Sequence, residues 1–189
     1  MFTDLFGCML ITEHLWAQGV VKLPSDERTG CQPQMAVTIQ LHQRPHGQIA
    51  DEIVEVAKLL TDQWFTRNVP EDTRRDLLFQ DAFCLHEDGR LRALLVFTSW
   101  DGTIHITLMG THPEHRRRGY GSLLLKRFLE HVEELGFEKV AVLTVPPDVK
   151  PQYQATIAFY RKHGFVETRR YTELWENGAI ELVKVLKGA

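Results

Sequence analysis

The sequence has few cysteines, no long apolar run and little net charge. Its three cysteines, Cys8, Cys31 and Cys84, are odd in number and far apart among 189 residues, so they form neither a disulfide framework nor a zinc pattern. No apolar run approaches the roughly 18–20 residues that cross a bilayer. The net charge of −3 gives no overall attraction to nucleic acid or an anionic membrane. These absences, and the lack of a signal-peptide pattern, predict a cytoplasmic protein with no membrane or nucleic-acid partner.

The composition is that of one globular domain preceded by an extension. Hydrophobic residues make up 43% and charged residues 25% of the chain, which is ordinary for a folded domain. Residues 1–35 show no sustained period and include a loop-like stretch at 23–30, so we predict an extension whose order the sequence leaves open. One hypothesis is that Met35 is the natural start. Residues 36–189 carry the regular patterns and form the predicted domain.

Hydrophobic periodicity predicts the elements of this domain. Alternation at 36–41 indicates a strand, and an apolar stripe from Ile49 to Trp64 indicates an amphipathic helix. Asn68 to Asp72 begins a second helix, with proline and acids in its first turn. The remaining predictions are strands at 82–86, 91–100 and 103–111, a helix at 122–135, a strand at 140–145, a helix at 153–163, and strands at 166–171 and 179–186. This order predicts an α/β (α+β) fold, a mixed sheet with helices on its faces.

The most informative segment, residues 111–122, lies where a strand ends and a helix begins. Gly119 and Gly121 let the backbone approach a ligand closely, and the helix start offers unpaired N–H groups and a positive dipole end. Arg116, Arg117 and Arg118 add charge suited to phosphate. We therefore predict a diphosphate on the backbone of residues 117–122.

Other interpretations of this turn are weaker. A dinucleotide fingerprint requires a third glycine, where the chain has Leu124, and a G-x-x-x-x-G-K-[ST] loop is absent. A solvated basic turn or a nucleic-acid patch would explain the arginines alone, but not their place directly before Gly-x-Gly at a strand-to-helix junction.

Two segments resemble the signatures of the Gcn5-related N-acetyltransferase (GNAT) superfamily. Residues 116–121, Arg-Arg-Arg-Gly-Tyr-Gly, match its [Gln/Arg]-x-x-Gly-x-[Gly/Ala] pattern. Residues 153–165 are similar to its second signature, with the aromatic pair Phe159-Tyr160 before Gly164-Phe165. The likeness covers about residues 37–189. It implies a mostly antiparallel sheet of six to seven strands that splays at a central parallel pair, where acetyl-CoA enters.

The resemblance also implies roles for particular residues. The strand 103–111 would bind the pantetheine arm, with a backbone N–H near Met109 or Gly110 holding the thioester carbonyl, as an oxyanion donor should. A β-bulge is common in this strand, and Gly110 is compatible with one. The implied cofactor-binding residues are Met109, Gly110, Thr111, Arg116, Arg117, Arg118, Gly119, Tyr120, Gly121 and Ser122.

Two residues are implied in proton transfer. Tyr160 matches the tyrosine that often protonates the departing CoA thiolate, although it could also be an ordinary core aromatic. His105 is a candidate base, because a histidine suits that task; a solvent-facing histidine is the equal alternative, and Glu52 and Asp51 are weaker candidates. Tyr153 stands where the second signature often has asparagine, which leaves that contact with the pantetheine open.

The function that the resemblance implies is transfer of an acetyl group from acetyl-CoA to a small-molecule or peptide amine by direct attack. The alternative is a non-catalytic acyl-CoA-binding sensor. We expect no metal, because His112 and His115 have a chelating spacing but no third ligand evident nearby. The sequence leaves open the acceptor's identity and whether the chain forms a homodimer.

Overall fold

A computed structural model describes residues 36–61 and 63–186. The predicted extension, residues 1–35, lies outside the described residues. The hypothesis that Met35 is the natural start of the protein falls on the same residues. In chain order the elements are β1 Val37–His42, α1 Gln48–Leu60, α2 Val69–Asp76, β2 Asp81–Glu87, β3 Arg90–Trp100, β4 Thr103–Thr111, a short 3-10 helix Pro113–His115, α3 Tyr120–Glu134, β5 Lys139–Thr144, α4 Tyr153–Lys162, β6 Val166–Tyr171 and β7 Ala179–Val185.

The described strands form one seven-stranded sheet in the order β1-β2-β3-β4-β5-β7-β6. β4 and β5 pair in parallel, and every other neighbouring pair is antiparallel. The predicted element order and the mixed, mostly antiparallel sheet are thus confirmed. The parallel pair is central because the chain leaves β4 through α3, which crosses one face before β5.

The helices cover both faces of the sheet, as predicted. The apolar stripe of α1, with Ile53 and Leu60, packs on one face against strand residues such as Leu94. α3 and α4 pack on the other face, where Phe128 and Ile157 join the larger core. The strands between these layers are therefore buried on both sides, which explains their nearly continuous apolar sequences.

Two helices end in the predicted glycine cap. Gly136 and Gly164 have φ angles of 81° and 85°, in the left-handed region where glycine has no Cβ penalty. The N–H of the following residue bonds back across the last turn, from Phe137 to the Val132 carbonyl and from Phe165 to the Tyr160 carbonyl, at 3.1 Å in both cases. This is the Schellman arrangement, and in α4 it fixes the end of the helix that carries Tyr160.

Candidate active site

The central strands separate at one end of the sheet. β4 pairs with β5 only from Ile104 to Ile106, although β4 continues to Thr111. The later residues of β4 therefore have no strand partner on their β5 side. A register shift against β3 sets Val96 opposite Leu108 and Phe97 opposite Ile106, so the bulged residue is Thr107. The predicted splay and bulge are both present, but the bulge lies at Thr107 and not at Gly110.

A cavity of about 500 Å³ opens beside this separation. One wall comes from β4 and β5 and a second from one face of α4, while the α1–α2 connection, α2 and the β6–β7 loop surround the outer part. The residues used below that line it are Trp64, Asp72, Asp76, Met109, Lys150, Tyr153, Tyr160 and Glu176. The cavity thus has a largely apolar inner part and an outer part with several charged groups.

Tyr160 and Met109 meet in the cavity wall. The Tyr160 side chain is 4% exposed, and its hydroxyl donates to Met109 Sδ at 3.6 Å. Burial raises the pKa of Tyr160 well above its ordinary value, because the phenolate would lose its hydration. The phenol therefore keeps its proton at neutral pH. Its weak thioether partner leaves it able to donate elsewhere.

The turn before α3 presents unpaired N–H groups. Gly119 is the N-cap with φ 84°, and the first bond of the helix runs from the Leu123 N–H to the Gly119 carbonyl at 3.0 Å. The N–H groups of residues 120–122 therefore have no partner within the helix. Gly121 lies against β4: a Cβ built there would be 3.5 Å from Thr111 Oγ1 and 3.8 Å from Met109 Cε. The predicted phosphate turn and the cavity are thus adjacent.

Arg116 makes contacts that the sequence did not indicate. Its Nη1 donates to Gln63 Oε1 at 3.1 Å, and its guanidinium carbon lies 5.2 Å from the Trp64 ring centroid, within range of a cation–π interaction. On the other side, the Tyr153 hydroxyl donates to the Trp64 carbonyl. The α1–α2 connection is therefore held between the phosphate turn and α4. In the sequence, the one feature that pointed to the contact between Tyr153 and Trp64 was the tyrosine at a position where the second signature often has asparagine.

The other predicted cofactor residues point in several directions. Arg117 is exposed and has φ 61°. Arg118 and Tyr120 instead contact the buried carboxylate of Glu87. The sequence analysis did not identify Glu87 as a site residue. Ser122 Oγ lies 3.1 Å from His163 Nε2 and so faces α4. Gly110 lies under Leu60, whose Cδ1 would be 2.5 Å from an added Cβ.

His105 is not brought to the cavity. Its ring lies 6.1 Å from that of Trp100 at the far end of β4, and it is not among the cavity-lining residues. The cavity wall instead contains Asp76, a titratable residue that the sequence analysis missed. Partial burial and the charge of Asp72 raise the pKa of Asp76. The weaker candidates for the base, Glu52 and Asp51, also do not line the cavity. Glu52 lies near His86 and Asp51 near Arg74.

The expectation that no third ligand lies near His112 and His115 is wrong. Ligand atoms of His112, Glu114 and His115 lie within 4.8 Å of one another. His112 Nδ1 accepts from the Glu114 N–H at 3.4 Å, and His115 Nδ1 lies 3.2 Å from Glu87 Oε2 without a hydrogen bond between them. That the protein works without a metal stays a prediction.

A separated parallel pair, a helix start with unpaired N–H groups beside it and a tyrosine in the opening are together typical of the acyltransferase class of fold. The model of the acetyltransferase (GNAT) family matches residues 53–165. The chain belongs to this family. Among the described helices, none is long and apolar enough to span a bilayer.

Individual relatives agree with this assignment. The chain is 29% identical over 89 residues to the N-acetyltransferase 9-like protein of Schizosaccharomyces pombe, a match that covers 44% of this chain and 41% of that protein. The ribosomal-protein-S18-alanine N-acetyltransferase of Escherichia coli has a similar fold, with a TM-score of 0.66, 14% identity, and coverage of 80% of this chain and 96% of that chain. A GNAT acetyltransferase of Elizabethkingia anophelis with bound acetyl-CoA gives a TM-score of 0.61, 19% identity, and coverage of 79% and 98%.

Proposed function

We propose that the protein transfers the acetyl group of acetyl-CoA to the nitrogen of an amine. The observation that carries the proposal is the meeting of three features: the open edge of β4, the unpaired N–H groups of residues 120–122, and the Tyr160 hydroxyl. Each suits a different part of one donor. The fold of the acetyl-CoA-bound relative supports the choice of donor.

The donor would lie along β4. Its diphosphate suits the N–H groups at the start of α3, aided by the exposed Arg117. Its pantetheine amides suit the backbone groups of β4 that β5 leaves unpaired. In this arrangement the thioester lies near Met109, and a backbone N–H of Met109 or Gly110 would donate to the oxyanion.

The reaction would be a direct displacement. The neutral amine nitrogen attacks the thioester carbonyl carbon, a C–N bond forms, and the C–S bond then breaks. The CoA thiolate takes the phenolic proton of Tyr160, the proton released from the amine nitrogen passes to water, and water returns a proton to the phenolate. Because burial raises the pKa of Tyr160, the phenol is present as the proton donor across the physiological range.

The outer part of the cavity favours cationic amines. Asp72, Asp76 and Glu176 line it together with a single lysine, Lys150. Carboxylates in a concave site attract a protonated amine and repel an anionic one. The carboxylates also offer a route by which a bound ammonium group can lose its proton. His105 stays only a prediction as base, and its position beside Trp100 favours a water relay in its place.

An acceptor screen tests the proposal. The purified chain is incubated with acetyl-CoA and a panel of diamines, amino sugars, basic peptides and acidic peptides, while thiol release and acetylated product are measured. We expect turnover with cationic acceptors and little with acidic peptides. Binding of acetyl-CoA without thiol release for any amine would favour the alternative, a sensor of acyl-CoA. No binding at all would contradict both.

A further inference from the structure

The buried carboxylate of Glu87 is an unusual group to find beneath the phosphate turn. It is 3% exposed and ends β2 on the same face as Phe83 and Leu85, because side chains alternate along a strand. Both of those residues belong to the core that α3 covers. A carboxylate buried in such a place is costly unless it is paired and hydrogen-bonded.

Glu87 has four polar neighbours, two for each oxygen; the Tyr120 hydroxyl donates a hydrogen bond to it, whereas the contacts with Arg92 Nε and His115 Nδ1 are not hydrogen bonds. Oε1 accepts from the Tyr120 hydroxyl and lies 3.8 Å from Arg118 Nη1. Oε2 lies 3.4 Å from Arg92 Nε and 3.2 Å from His115 Nδ1. Arg92 is available because the β2–β3 register shift leaves it opposite neither Leu85 nor His86. One carboxylate therefore joins β2, β3, the 3-10 helix and the start of α3.

Two of these partners flank the N-cap of α3. Arg118 precedes Gly119 and Tyr120 follows it. Gly119 has a left-handed backbone conformation, with φ 84°, and this conformation directs the next N–H groups outward. Since both side chains contact Oε1, the carboxylate links the residues on each side of this glycine. Glu87 also offsets only one of the positive charges around it, so the turn stays cationic.

We propose that Glu87 is a positioning residue for the diphosphate of the donor, and that it acts through Arg118 and Tyr120 without touching the cofactor. The proposal rests on the proposed function in so far as the ligand is a coenzyme A thioester. Its specific content is that the carboxylate contributes to recognition of the diphosphate and leaves recognition of the pantetheine unaffected.

Calorimetry with two ligands tests this division. CoA carries the diphosphate and pantetheine lacks it, so the ratio of their affinities isolates the contribution of the turn. In Glu87→Gln we expect the affinity for CoA to fall about tenfold or more, the effect of losing the charge that strengthens the hydrogen bond from Tyr120 and pairs with Arg118, while the affinity for pantetheine stays unchanged. In kinetics the KM for acetyl-CoA rises and kcat changes little. A role in folding alone would weaken both ligands together.

Two further variants complete the design. Tyr120→Phe removes the hydroxyl donor but keeps the ring, so it should shift CoA affinity in the same direction and covers the case in which Glu87→Gln fails to fold. Glu130→Gln, an exposed carboxylate on α3, is the matched control and should leave both affinities as they are.

The possible failures are distinguishable. Equal loss of CoA and pantetheine binding, or unchanged CoA affinity in both Glu87→Gln and Tyr120→Phe, overturns the role of Glu87. A wild-type chain that binds CoA but acetylates no amine overturns the proposed enzyme activity and leaves this inference standing. A wild-type chain that binds no CoA overturns both.

Discussion

Tyr160 is the residue whose hydroxyl the proposed chemistry uses directly. Replacement by phenylalanine keeps the buried ring but removes the proton donor, so the thiolate must leave unprotonated or wait for water. We expect kcat to fall about 100-fold, within the usual range for a general acid, with little change in the KM for acetyl-CoA. Steady-state kinetics with a thiol reagent measures both constants.

The control for this variant is Tyr171→Phe, which removes the hydroxyl of a tyrosine on β6 that is not among the cavity-lining residues. It should retain full activity. If Tyr160→Phe is equally active from pH 6 to pH 9, the phenol is a core aromatic, which was the alternative that the sequence left open.

Gly121 tests the closeness of the phosphate turn to β4. A Cβ at this position would make ordinary contacts of 3.5–3.8 Å with Thr111, Phe159 and Met109, so Gly121→Ala should bind CoA nearly as well as the wild type. A tryptophan side chain extends far beyond that contact distance and would fill the approach to the unpaired N–H groups. We expect Gly121→Trp to abolish CoA binding in calorimetry while the far-ultraviolet spectrum stays native. Retained binding in the folded Trp variant would place the diphosphate elsewhere.

At the residue scale, sequence was informative where the local backbone decides the outcome. Gly119 could be predicted because its left-handed conformation, with φ 84°, favours glycine at this turn whatever lies around it. The directions of Arg116 and Arg118 could not, because a long guanidinium side chain follows its partners. Those partners, Gln63 and Glu87, come from distant segments of the chain that only folding brings close.

At the scale of elements, Tyr153 joins α4 to the connection between α1 and α2. Its hydroxyl donates to the Trp64 carbonyl, and its ring packs edge-on against the indole at 5.7 Å. Tyr153→Phe keeps the ring contact and removes the hydrogen bond. We expect a loss of about 1 kcal/mol in the free energy of unfolding, measured by urea denaturation.

The same variant should also affect the acceptor more than the donor. Trp64 lines the cavity on the α2 side, so loosening its segment should raise the KM for the amine several-fold and leave the KM for acetyl-CoA nearly constant. Tyr171→Phe, which removes a tyrosine hydroxyl outside the cavity lining, is the matched control and should leave both KM values unchanged. An unchanged acceptor KM in Tyr153→Phe would show that the connection is held by other contacts, such as that of Gln152 with the Gln63 carbonyl.

Element boundaries were predictable where capping and periodicity are local. The glycine caps at Gly136 and Gly164, followed by phenylalanine, fixed the ends of α3 and α4 because the Schellman bonds form within one turn. The bulge at Thr107 was not predictable, since it arises from the register between β3 and β4. Gly110 was considered for the bulge because it is an isolated glycine within the strand. The structure shows that the absence of a side chain there allows Leu60 to pack closely against it.

At the scale of the whole molecule, the splayed sheet was predictable from two motifs and the element order, whereas the internal electrostatics were not. Burial and neighbouring cations depend on tertiary packing, and they affect many of the histidines. The pKa is lowered for five of the described histidines, in each case with desolvation as the largest cause: His42, His86, His115, His131 and His163.

These shifts give the stability of the protein a definite pH dependence. Each histidine binds its proton less readily in the folded chain than at its ordinary value of about 6.5 in the unfolded chain. Its contribution to stability is therefore fully present above pH 6.5 and is lost as the pH falls toward the folded pKa. Asp76, with a raised pKa, contributes to the pH dependence of stability with the opposite sign, but it does so at more acidic pH, near the ordinary range of carboxyl groups.

We expect the free energy of unfolding in urea to fall steadily from pH 7.5 to pH 5.5. His86→Gln, which removes a side chain only 13% exposed and 3.8 Å from Glu52, should flatten that slope, and a stability that is constant or rises toward pH 5.5 would contradict the burial of these rings.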